Sequence, residues 1–131
     1  MRRHLVIVLL GILTAVPLAA HHGSAAFDTG KSVTITGTVT QWIYSNPHLL
    51  LSVEVKGADG TAVTWLAETQ APNIMYPAGY RKDSFKVGDH VTVTVEPVKN
   101  GQPVGRIQKV VTANGTTLGV INSVAIPPAA K

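Results

Sequence analysis

Two adjacent histidines, His21 and His22, stand where an apolar run has just ended. If the chain is cut after Ala20, His21 carries a free α-amine. That nitrogen and the imidazole can then chelate one metal ion together. A second imidazole completes a three-nitrogen planar set, which suits Cu(II). His48 is the best second ligand, because it lies behind a rigid proline in the loop after the first strand. His22 is weaker, since adjacent side chains tend to point apart, and His90 opens the fourth strand at the rim. Turns account for Asp59 and Asp89 and the polar faces of strands for Glu54 and Glu96, while Glu68 stands out at the end of the third strand; with His22 it is a helper to the metal, and the alternative is a solvated strand end. No fixed ligand spacing like a zinc finger's is present. The alternative is two histidines in a loose tail, with no physiological metal.

Other chemistries are missing. The chain has no cysteine to serve as nucleophile or soft ligand, and no glycine-rich phosphate loop lies between a strand and a helix. Ser24, Ser32, Ser45, Ser52 and Ser84 lack a nucleophile-elbow setting. We therefore expect a binding protein rather than an enzyme. Aromatic residues offer a second kind of surface. Trp42 and Tyr44 share the face of Thr34, Thr36, Thr38 and Thr40, the expected outer face of the first strand. With Asn46 and Trp65 they form the candidate partner surface, although packing between strands or under a short helix would equally account for Trp42 and Trp65.

The elements that position these residues follow from the hydropathy pattern. Arg2 and Arg3, the apolar run Leu5–Ala15, Pro17 and the small residues to Ala20 have the layout of a secretory signal. The run is short for a membrane span, which needs about 20 residues; an uncleaved anchor is the alternative. Residues 1–20 are thus expected to leave, and the protein to be periplasmic or secreted with no stable membrane span. Loss of Arg2 and Arg3 lowers the formal net charge of +4 by two. That weak charge excludes nucleic acid as an expected partner and leaves an envelope protein or a small ligand. Period-two alternation marks strands at 33–44, 49–55, 62–69, 90–98 and 104–113. Gly37 interrupts the first of them on its apolar face, as at a bulge or bend. Asp59-Gly60 and Asn100-Gly101 signal hairpins. Pro72 opens one or two helical turns, stopped by Pro77 and Gly79. Three strands, a short helix and two strands describe an all-β, five-stranded OB-like barrel over 21–113 with an N-terminal arm; an open β-sandwich is the runner-up. Residues 114–131 are expected to be a weakly ordered tail.

Taken together, "HHGSAAFD", "VTITGTVTQWIYSNPHLLL", "VTWLAETQAPN" and "GYRKDSFKVGDHVTVTVEPVKNG" resemble a family of small exported bacterial proteins of unknown function. Its members begin with His-His-Ser or His-His-Gly. They carry Asn-Pro-His after strand one, Trp-x-x-Glu ending strand three and Lys-x-Gly-Asp before strand four. The resemblance covers most of 21–111 and implies an exported β-barrel with no established activity. By position it marks His21, His22, Asn46, Pro47, His48, Trp65 and Glu68; Gly23 replaces the serine common there.

Overall fold

A computed structural model describes residues 24–119. Its strands are β1 (Val33–Ile43), β2 (Leu50–Lys56), β3 (Ala62–Glu68), β4 (His90–Pro97), β5 (Val104–Thr112) and the two-residue β6 (Thr117–Leu118). A single helical turn, α1 (Pro72–Met75), and a 3-10 turn (Tyr76–Ala78) lie between β3 and β4. The sheet order is β3-β2-β1-β4-β5-β6, and β3 also pairs with β5. That last pairing is parallel and short, Leu66–Glu68 against Val104–Arg106. It closes five strands into the expected OB-like barrel and removes most free edges. The sixth strand was not expected: Thr117 and Leu118 pair with Val111 and Val110, so the first part of the tail is ordered. Leu118 earns its place there by burying an apolar side chain against the core.

Strand β1 serves two neighbours. It pairs with β4 over Val33–Thr38 and with β2 over Thr38–Ile43. Gly37 stands at the crossing, where a Cβ would lie 2.1 Å from the Glu54 carbonyl oxygen. Only a residue without a side chain lets the β2 backbone come so close. Gly105 does the same where β5 meets β4; its Cβ would fall 2.6 Å from Val95 Cγ2.

The alternation reading of β1 holds as far as Val39. There the register with β2 slips, from Val39 opposite Val53 to Gln41 opposite Ser52, leaving Thr40 as an extra residue. A bulge of one residue exchanges the two faces of everything beyond it. Trp42 and Tyr44 consequently turn inward and pack on the core, rather than joining the threonine face. Ile43, expected inside, is not among the residues packed there. Thr34 and Thr36 remain outside, with their hydroxyls against those of Thr94 and Thr92.

The core fills the barrel with Ile35, Val39, Leu51, Val53, Val93, Val95, Ile107 and Val110, among others. Met75, Tyr80 and Phe85 from the β3–β4 connection join the same cluster and seal it. Trp42 packs edge-on to Phe85, with ring centroids 4.9 Å apart, and its indole N–H donates to the Arg81 carbonyl at 3.1 Å. Trp42 is thus packed beneath the loop that follows the short helical turns, against Tyr80 and Phe85.

Candidate functional site

The β1–β2 loop carries Ser45, Asn46, Pro47 and His48 on the surface, and the Asn46–Pro47 peptide bond is cis. Leu49 then plunges into the core. Its N–H donates to the Gln70 carbonyl and its own carbonyl accepts from the Thr69 N–H. The His48–Leu49 backbone is thereby fastened to the chain leaving β3. The His48 ring adds a third tie, with Nδ1 2.9 Å from the Thr69 carbonyl oxygen. A carbonyl only accepts, so Nδ1 must carry the proton. In the neutral ring the lone pair then resides on Nε2, which leaves that nitrogen to ligate a metal or accept a hydrogen bond.

Glu68 is one step away on the outer surface. It stands opposite Leu50 on β2 and beside Arg106 on β5. Arg106 turns to Glu96 on β4 instead: its Nε donates to Glu96 Oε2 at 3.0 Å, and its terminal nitrogen forms the ion pair. Glu68 makes no ion pair among the described residues. Trp65 lies on the other surface of β3. Three residues in a strand reverse the facing, so Trp65 packs inward on the core while Glu68 faces out. The motif Trp-x-x-Glu thus serves both faces of one strand and is not a single site. Of the candidate partner surface, only Asn46 is fully exposed.

His90 is exposed at the start of β4, in register with Thr38, which also faces Glu54. Glu54 is six residues along β2 from His48, about 20 Å at strand rise, so His48 and His90 are not brought together. No three His, Asp or Glu side chains converge among the described residues. His21 and His22, and the signal-like segment before them, lie outside those residues. No described helix is long and apolar enough to cross a membrane.

The structure adds residues that the sequence did not single out. Phe27 is 2% exposed although it precedes the barrel. It forms a bridge with Val98, and the Arg106 guanidinium sits 5.0 Å from its ring centroid. The signal for Arg106 and Glu96 lay in the hairpin: pairs counted outward from Gly101 bring 96 opposite 106. A separate open cleft of about 450 Å³ lies between the β3–β4 connection and the β5–β6 turn. Arg81, Asp83, Asp89, Thr112 and Asn114 line it, and none of the candidate residues does.

A closed five-stranded barrel with an outer histidine-bearing loop is the class the geometry defines. The chain belongs to the family of unknown function DUF6152, whose model matches residues 10–108. The resemblance seen in the sequence was to a family of this kind. No curated protein is significantly similar to the chain. Among solved structures it is similar to the mitochondrial single-stranded DNA-binding protein Rim1 of S. cerevisiae. The identity is 14%, the match covers 63% of this chain and 93% of that one, and the TM-score is 0.47. This neighbour corrects the exclusion of nucleic acid drawn from net charge. Likeness at this level assigns no ligand to the present chain.

Proposed function

We propose that this protein is an exported binding module that holds a copper ion through its amino-terminal histidine and His48, without catalysing a reaction. One observation carries the reading: His48 Nδ1 donates to the Thr69 carbonyl and leaves Nε2 free. Metal-binding histidines characteristically hold their other ring nitrogen this way, since the backbone bond fixes both tautomer and ring orientation. The α-amine and ring of His21 would supply the other two nitrogens after removal of residues 1–20. Glu68, without an ion pair among the described residues, and His22 are the helpers. Two imidazoles and an amine favour Cu(II) over harder ions.

The test is a Cu(II) titration of the processed protein, followed by electron paramagnetic resonance. One equivalent should bind with nitrogen hyperfine structure, and His21→Ala and His48→Ala should each weaken it by at least about tenfold, the usual scale for loss of a ligand or its support. Binding unchanged in both variants refutes the proposal. So does mass spectrometry that finds the processed chain beginning at Gly23 or later.

A further inference from the structure

The open cleft between the β3–β4 connection and the β5–β6 turn shares no residue with the copper reading, and each of its walls is held by its own hydrogen bonds. On one side the Arg81 N–H donates to Ser84 Oγ at 2.7 Å and the Ser84 N–H to the Arg81 carbonyl at 3.1 Å, which closes a turn. Arg81 Nη1 donates to the Tyr76 and Tyr80 carbonyls at 2.7 and 2.8 Å, and the guanidinium carbon lies 3.5 Å from the centroid of the Tyr76 ring. On the other side Asn114 Oδ1 accepts from the Thr116 N–H at 3.0 Å and from the Thr112 hydroxyl, which fixes the β5–β6 turn. The walls meet at Gly79, where a Cβ would lie 3.0 Å from Leu118 Cδ2. Groups already held in this way lose little freedom when a ligand binds.

What those bonds leave open decides what the cleft can hold. Both protons of Nη1 are engaged, so the donors on Nε and Nη2 remain. That edge of a guanidinium is the fork that grips a carboxylate through two parallel bonds, and no carboxylate pairs with Arg81 among the described residues. The other charged residues lining the cleft are Asp83 and Asp89. Neither forms an ion pair among the described residues, and only Asp89 Oδ2 is occupied, by the Lys86 N–H at 2.9 Å. One cation and two anions call for the opposite set: one carboxylate and two cationic groups on a compact skeleton. A phosphate would meet two repelling carboxylates, and a bare diamine would leave the Arg81 fork empty. A volume of about 450 Å³ is in the range of small-molecule sites. We propose that this cleft binds a free basic amino acid, its carboxylate on the Nε–Nη2 edge of Arg81 and its two cationic groups at Asp83 and Asp89.

Three probes separate the parts of the site: L-lysine, cadaverine, which is lysine without the carboxylate, and L-norleucine, which is lysine without the side-chain amine. Each is titrated into the protein by calorimetry, with amide chemical shifts to locate it. L-lysine should bind one to one with a Kd of about 1 mM or tighter, and should shift the amides of Gly79–Ser84 and Thr112–Thr116. Cadaverine should bind about tenfold more weakly, for loss of the charge-assisted bonds to Arg81. L-norleucine should bind about threefold more weakly, the scale of one exposed ion pair. Arg81→Met should erase the preference for lysine over cadaverine and keep that over norleucine. Asp83→Asn combined with Asp89→Asn should do the reverse. Arg81 also supports the Tyr76 and Tyr80 carbonyls; should its variant fail to fold, the aspartate variant, at two exposed positions, decides the matter. No heat or shift with L-lysine at about 10 mM, or shifts confined to other residues, overturns the proposal. Cadaverine or norleucine binding as tightly as lysine overturns it too, as does an aspartate variant that still prefers lysine to norleucine as the wild type does.

Discussion

Tyr80 gives the sharpest test of the packing. Its side chain is fully buried in the cluster that seals the barrel, and its hydroxyl has no hydrogen-bond partner. A buried donor left unpaired costs about 1–3 kcal/mol. Replacing Tyr80 by Phe removes that cost and forfeits only the few contacts of one oxygen, each on the order of 0.1–0.2 kcal/mol. Tyr80→Phe is thus expected to stabilise the domain by about 1 kcal/mol. For a domain of this size that raises the melting temperature by roughly 4–8 °C. A pH dependence accompanies it. Burial raises the Tyr80 phenol above its ordinary value of 10.0. The folded chain then keeps a proton that the unfolded chain releases, so the contribution is fully present below pH 10 and falls as pH rises further. The slope from this one group is about 1.4 kcal/mol per pH unit. Urea denaturation of wild type and Tyr80→Phe between pH 7 and 11 reads both effects. The variant should be more stable at pH 7, and the difference should widen above pH 10. A variant less stable by 1 kcal/mol or more, or a gap that stays constant with pH, refutes the reasoning.

Gly37→Ala should cost more than about 3 kcal/mol or prevent folding, because its Cβ meets backbone 2.1 Å away rather than a side chain that can move; thermal denaturation by circular dichroism measures it. Trp42→Ala should destabilise by about 3–5 kcal/mol, the range for a large aromatic removed from a packed interior. An outward-facing Trp42 would instead lose little, so a chemical-denaturation shift under 1 kcal/mol would contradict the inward placement.

Much of the barrel was readable because a strand announces itself locally. Period-two alternation and the Asn-Gly and Asp-Gly turns placed five strands and the short helix near their observed bounds. His48 was legible as well, since Pro47 and its loop position are local facts. The facing of Trp42 and Tyr44 was not. It depends on Thr40 being one residue too many relative to β2, and an extra residue has meaning only against a partner strand. The inward turn of Trp65 is the reverse case: three residues from Glu68, it follows from alternation alone.

The amino-acid sequence by itself determined the strands, the turns and the residue types available for chemistry, because each rests on neighbours a few positions apart. Only the tertiary structure decided which faces they present and what meets across them. The closure of β3 on β5 set Glu68 beside Arg106. The bridge from Phe27 to Val98 brought residues 71 positions apart together and docked the arm. The His48 ring acquired its tautomer from a carbonyl 21 positions away. Such contacts are bought by burial summed over the whole barrel, which no short window of sequence contains.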